Sequence, residues 1–191
     1  MAREKKFSTP EMFRETRLLL LKYGYEGFTF SLLADALSVS RAAIYKYYMN
    51  KEELIIDYMV DEMNKLVRDF ENMDKSLPFL EQLDQLLNII FDNKDIHQIL
   101  GMAHQIQANG SKSIVEKKEQ LEKLHLEMYQ ILQGFILQGK RENLLKEHLP
   151  DDLILGFIFQ SINIPNHNGM ANDMWINSIK EMVWYGIFHV K

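Results

Sequence analysis

Apolar side chains recur three and four residues apart along almost the whole chain. No run alternates apolar and polar residues with the strict period of two that a half-buried strand requires. That restricts the chain to all-α architectures. At 191 residues and 47% apolar content it is long enough to bury a sizeable core and too apolar for wholesale disorder. Four prolines and nine glycines are too few for a loop-rich fold.

The helix boundaries can be read from local chemistry. Thr9-Pro10 reads as a start, a hydroxyl N-cap followed by proline at the first helical position. Phe13, Thr16, Leu19, Leu20 and Tyr23 follow on helical spacing, and Gly24 supplies a left-handed end. A short helix from Thr29 to Leu37 places Leu33, Ala34 and Leu37 on one face. Ser38-Val39 makes a tight turn, Ser40 caps a further short helix from Arg41 to Tyr48, and Asn50-Lys51 breaks the pattern. Three short helices, the last two joined by a few residues, form a helix-turn-helix unit. Longer helices are expected after it. One runs from Lys51 to Glu71. Another follows Ser76-Leu77-Pro78. A third covers Asp95 to Ala108, stopped by Asn109-Gly110. A fourth opens at a Ser113–Glu116 capping box, and the last two cover Asp151 to Ile164 and Asn172 to Val190. The predicted fold is all-α, with a three-helix helix-turn-helix domain at 1–51 and a longer helical domain at 52–191.

Charge divides along the same line. Residues 1–51 carry nine Lys/Arg against five Asp/Glu, whereas residues 52–191 carry thirteen against twenty-two. A basic head on an acidic body suits a head that meets a polyanion. The Arg41–Tyr48 helix has the properties a major groove demands, because Arg41 is a bidentate donor able to read guanine and Ala42 and Ala43 are slim enough to meet thymine methyls. Tyr45, Lys46 and Tyr47 can reach phosphates. Thr29 and Ser31 offer hydroxyls and free N–H groups at a helix start, Ser40 stands at the DNA-facing end of the recognition helix, and Lys51 is a further phosphate partner. Ile44, Leu33, Ala34 and Val39 read as core, and Tyr48 reads as packing in preference to DNA contact.

Several spaced positions match together here: Gly24-Tyr25, Phe28-Thr29, Leu33-Ala34, Val39-Ser40, Ile44-Tyr45-Lys46-Tyr47-Tyr48 and Lys51-Glu52-Glu53-Leu54. Over residues 9–56 the chain resembles the TetR family of one-component repressors. Two residues depart from the pattern: Ser38 stands where the family often has glycine, and Phe30 where many members have a small or polar residue. The resemblance implies a double-stranded DNA operator as partner, a small-molecule effector bound inside the helical body, and a homodimer made by the last two helices.

Other chemistries find little footing. There is no cysteine, hence no disulfide, thiolate site or cysteine nucleophile, which fits a reducing cytoplasm. Of six histidines only His97 and His104 could share a helix face, and no acid accompanies them at a ligand spacing, so no metal is expected. There is no phosphate-binding loop, dinucleotide fingerprint or nucleophile elbow, and Asp151-Asp152 suits a helix start, so neither an enzyme nor a cofactor is expected. The charged Met1–Lys6 segment leads into no signal core, and no apolar run approaches the ~18 residues of a membrane span.

The body holds eight of the eleven methionines, which suits an adaptable apolar pocket. Phe91, Met102, His104, Met128, Tyr129 and Phe157 are the candidate pocket wall. The helix from Leu153 to Ile162 is apolar nearly all round, and the last helix shows an apolar stripe that ends at Val190. Ile158, Ile162, Trp175, Ile179, Val183, Gly186 and Ile187 are the candidate dimer interface. The reading that results is a repressor released from a palindromic operator by a small, largely apolar ligand. The alternative is a DNA-binding protein of the same kind controlled by protein partners without an inducer.

Overall fold

The computed structural model describes residues 7–188, and the regular elements among them are all helical. In chain order these are α1 (Thr9–Gly27), α2 (Phe30–Ala36), α3 (Arg41–Ile44), α4 (Lys51–Glu71), α5 (Phe79–Asp92) and α6 (Lys94–Leu100). A 3-10 turn (Gly101–Gln105) precedes α7 (Lys112–Arg141), α8 (Asp151–Ser161) and α9 (Asn172–Ile187). Met1–Lys6 and the expected end of the last helix at Val190 lie outside the described residues.

Several helix ends differ from the reading above, for local reasons. Ser8, not Thr9, caps α1: its hydroxyl accepts the Glu11 N–H at 3.3 Å while the Glu11 carboxylate accepts the Ser8 N–H at 2.6 Å. That box satisfies two backbone donors where a Thr9 cap would satisfy one. Gly24, at φ +67°, interrupts α1 as expected, but one more turn follows, closed by the Phe28 N–H on the Gly24 carbonyl. The Asp95–Ala108 helix is split, with α6 ending at Leu100 and the chain tightening into the 3-10 turn. α7 is capped two residues earlier than its expected box, at Ser111, whose hydroxyl takes the Ile114 N–H at 3.4 Å. α8 stops at Ser161, whose hydroxyl donates to the Ile158 carbonyl at 2.6 Å.

Two compact units result. One holds the chain up to Asn64 together with Asp95–Leu124. Its core joins Leu20, Leu33 and Ile44 of the first three helices, and Phe28 between the first two, to Ile55 and Met59 of α4, and these to Ile96, Ile99, Ile106 and Ile114. Each such side chain, fully buried, contributes about 1.5–3 kcal/mol. Arg17 pairs with Asp95 at 3.1 Å, and Lys118 Nζ donates to the Ile106 carbonyl at 2.8 Å. The head therefore shares one core with α6 and the first turns of α7.

The other unit holds Lys65–Lys94 and the chain from His125 on. Leu83, Leu87, Leu132, Ile136, Ile154 and Ile158 are buried in it, and Phe79 stacks on Phe135 at 4.4 Å. Gly139 lies so close that a Cβ there would stand 2.4 Å from Phe79 Cζ and 2.8 Å from the Leu145 side chain. α7 ends with Asn143 at φ +56°, its N–H on the Lys140 carbonyl and the Leu144 N–H on the Gly139 carbonyl. Lys146 then places its ammonium 2.8 Å from the Gly186 carbonyl, serving acceptors that the end of α9 would otherwise leave unpaired.

The expected dimer stripe is resolved differently by this packing. Ile158, Ile179, Val183 and Ile187 are buried in the chain's own second unit, Ile162 and Trp175 are half-buried, and only Gly186 is exposed. α8 is apolar nearly all round, so its inner side takes the α9 stripe as an intramolecular seal. The uncovered apolar row lies elsewhere, at Leu153 and Phe157 on α8 and at Met174, Met182 and Tyr185 on α9, with Met182 62% and Tyr185 69% exposed.

Candidate nucleic-acid interface

The helix-turn-helix begins at Thr29, whose hydroxyl accepts the Leu32 N–H at 3.3 Å and so opens α2. α2 ends in a left-handed cap at Ser38, φ +54°, with the Ser38 N–H on the Asp35 carbonyl and the Val39 N–H on the Ala34 carbonyl. The serine that stands in place of glycine thus adopts the glycine-like conformation, at about 1 kcal/mol. Ser40 follows in extended backbone. Its carbonyl takes the Ala43 N–H, but its hydroxyl makes no cap bond and stays at the surface, unlike the side-chain cap read from the sequence.

Regular helix covers only Arg41–Ile44 and not the stretch to Tyr48. The turn then tightens, with the Tyr47 and Tyr48 N–H groups both directed at the Ile44 carbonyl, at 2.9 and 3.2 Å. Ile44 is fully buried, so this short segment hangs on one apolar anchor and turns Arg41, Ala42, Tyr45, Lys46 and Tyr47 outward. Thr29, Ser31 and Ser40 are exposed beside them. Eight of the nine residues read from the sequence therefore occupy the solvent side of α2, the turn and α3.

Aromatic contacts brace the outward tyrosines. Phe30 is buried and meets the Tyr45 ring edge-on at 5.1 Å, while Phe7 meets the Tyr47 ring at 5.2 Å. The Phe30 departure thus has a physical role: it holds Tyr45 where a small residue would leave it loose. Lys51 is the ninth residue and behaves differently. Its ammonium donates to the Tyr25 carbonyl at 2.9 Å and lies 4.3 Å above the Tyr25 ring, tying the start of α4 to the end of α1. Burial, then the Glu52 carboxylate, push the Tyr25 phenol up to about 12.

Tyr48 packs, as read. Its hydroxyl donates to Asp57 Oδ2 at 2.6 Å, and the other Asp57 oxygen accepts from Lys117. Burial, followed by the Asp57 hydrogen bond, raises the Tyr48 phenol above its ordinary value, so it remains a neutral donor. No spacing pattern points to Asp57 and Lys117 as partners, because they stand sixty residues apart in the chain.

The six candidate pocket residues do not converge on one lining. Met102 and His104 belong to the first unit, and His104 is exposed with its Nδ1 2.7 Å from the Gly101 carbonyl. In the second unit Phe91 borders a cavity of about 140 Å³ with Trp175, Ile176 and Ile179, whereas Phe157 borders an apolar cleft of about 220 Å³ with Leu153, Gly186 and Ile187. Met128 is buried, and the Tyr129 hydroxyl bonds Asp152. Among the described residues no three His, Asp or Glu side chains come together as a metal site, and no helix is long and apolar enough to cross a membrane.

Residues 14–58 match the family model described as bacterial regulatory proteins, tetR family. Over 133 residues the chain is 26% identical to the uncharacterized HTH-type transcriptional regulator YhgD of Bacillus subtilis, covering 68% of each protein. Among solved structures it is similar to the ketosteroid transcriptional regulator KstR2 of Mycobacterium tuberculosis, with a TM-score of 0.69, 18% identity and 95% of each chain covered. FadR of Bacillus subtilis, in complex with stearoyl-CoA, gives a TM-score of 0.65 at 20% identity, covering 94% of this chain and all of that one. PfmR of Thermus thermophilus gives 0.70 at 17% identity, over 91% of this chain and 97% of its own.

Proposed function

We propose, from the match of residues 14–58 to the tetR family of bacterial regulatory proteins, that the chain is a homodimeric repressor released from a near-palindromic operator by a small, largely apolar ligand. The observation that carries the DNA-binding part is the outward row of Thr29, Ser31, Ser40, Arg41, Ala42, Tyr45, Lys46 and Tyr47 over a turn anchored by buried Ile44. Selection of bound duplexes from a random pool tests it. A recovered two-fold symmetric site is the expected result, and recovery of no preferred sequence would overturn it. Each phosphate neutralised should add about −0.9 to the log–log salt slope.

Within the head, roles divide by chemistry. Arg41→Ala is expected to relax preference at one or two base pairs and to cost about 1–3 kcal/mol at the selected site. Lys46→Ala is expected to weaken all duplexes alike. Competition between selected and scrambled duplexes checks both, and an Arg41→Ala protein with wild-type preference would assign base reading elsewhere.

For the effector, two observations support the reading. In the second unit the cleft beside Phe157 is walled by Leu149, Leu153, Ile154 and Ile187, and the similar FadR was solved in complex with stearoyl-CoA. Thermal-shift screening should therefore find stabilisers among apolar or amphipathic compounds, and hits confined to polyanions would argue against this reading. The dimer is proposed through the uncovered row of Leu153, Phe157, Met174, Met182 and Tyr185. Gly156 and Gly186 stand on these same helices, where an added methyl would meet nothing closer than 4.0 Å within the chain. Each lowers helix propensity by about 0.8–1.0 kcal/mol relative to alanine without an intramolecular return. Close approach of a second copy would offset that cost, and two-fold symmetry would match a palindromic site.

A further inference from the structure

We propose that Lys117, on α7, is a positioning residue for the DNA-reading turn, acting through Asp57 on Tyr48. The proposal rests on the DNA-binding reading of Arg41–Tyr48. Tyr48 closes that turn, and its hydroxyl is held 2.6 Å from Asp57 Oδ2. The neighbouring Met49 N–H is held by the Glu53 carboxylate at 3.1 Å, and Asn50 Oδ1 takes the Glu53 N–H at 2.8 Å. Glu53, Asp57 and Asp61 stand at successive four-residue intervals, so one face of α4 carries three like charges.

That acidic face supplies the acceptors that fix the end of the turn, and it needs a counter-charge to keep them in place. Lys117 provides one, bonded to the Asp57 oxygen that Tyr48 leaves free. The ammonium is itself held in register. The Ser111 hydroxyl caps α7, buried Ile114 seats its first turn in the core, and the Lys118 ammonium is fixed on the Ile106 carbonyl. A shift of the first turns of α7 would draw Lys117 from Asp57, take the ammonium from that carboxylate, and loosen Tyr48 at the end of the DNA-reading turn. An effector acting on α7 thus has a route to the operator through three named side chains.

Lys117→Met keeps the apolar stem and removes the charge. In the free protein, amide exchange at Tyr47, Tyr48 and Met49 should accelerate about 5-fold, as loss of one charge-assisted contact implies. On a duplex selected with the wild-type protein, Lys117→Met and Tyr48→Phe should each weaken binding about 5-fold, and the double variant should be no weaker than the worse single one, because both break one chain of contacts. The salt slope should not change. Lys112→Met, on the same helix but paired only with Glu116 at the surface, should alter none of these quantities. Additive losses, or a slope smaller by about 0.9, would overturn the proposal, the latter by making Lys117 a phosphate contact. Unchanged exchange at the three amides would overturn it without DNA. Failure of the wild-type protein to bind any duplex would instead count against the DNA-binding reading and leave the exchange measurement to decide.

Discussion

With glutamate at both Phe157 and Met182, the protein should become monomeric while remaining folded. Both side chains are substantially exposed, so the new carboxylates stay hydrated in the separated chain and become costly only when a second copy covers them. A lone head makes about half the phosphate contacts of a pair, so the salt slope should fall by about half. Losing the linked second head should lower operator affinity by about 10²- to 10⁴-fold. Light scattering gives the mass, circular dichroism the fold, and a titration at several salt concentrations the slope. A double variant that is still dimeric with unchanged affinity would place the interface on another surface. Ile179→Glu makes the contrast: Ile179 is buried within its own chain, so a carboxylate there should unfold the second unit instead of separating two intact copies.

The second large effect is expected at Gly139. Alanine there would drive a methyl into Phe79 Cζ and the Leu145 side chain, both buried and with no solvent to yield into. Overpacking of this kind costs about 1–3 kcal/mol. For a chain of this length that lowers the melting temperature by about 2–12 °C. Gly134→Ala, five residues earlier on the same helix and in open space, should raise stability by about 0.4–1 kcal/mol. Gly139→Ala with Phe79→Leu should recover part of the loss. Equal melting temperatures for the two alanine variants would show that the second unit accommodates the methyl.

The helix-turn-helix was legible because its signals are local. A left-handed residue at Ser38, small residues after Ser40 and an apolar anchor at Ile44 lie within a few residues of one another, and each constrains its neighbours. Helix existence was legible for the same reason, but the caps shifted where two hydroxyls competed, as at Ser8 and Thr9. The outer face of α9 was not legible. Its periodicity reports an apolar stripe without saying whether α8 or another copy covers it, and α8 itself is apolar on nearly every side. Nor could Lys51 be read as a tether to Tyr25, or Asp57 as a partner of Lys117, since such pairs are made by tertiary folding across 26 and 60 residues and leave no spacing to detect. The candidate pocket wall rests on composition and on placement in the central helices, and neither specifies which way a side chain points.

The core that joins Ile44, Leu33 and Met59 to Ile96, Ile99 and Ile114 has a practical consequence for protein engineering. Regulators of this architecture invite modular treatment, in which a reader is cut from one chain and grafted onto the sensor of another. Here a cut after residue 51 would strip the reader of the partners that bury its apolar side, and a graft would have to bring α6 and the first turns of α7 along with it. The transferable cartridge is discontinuous, made of the chain up to about Asn64 and the Asp95–Leu124 insert. A chimera assembled on that boundary should express in soluble form where one joined at residue 51 aggregates.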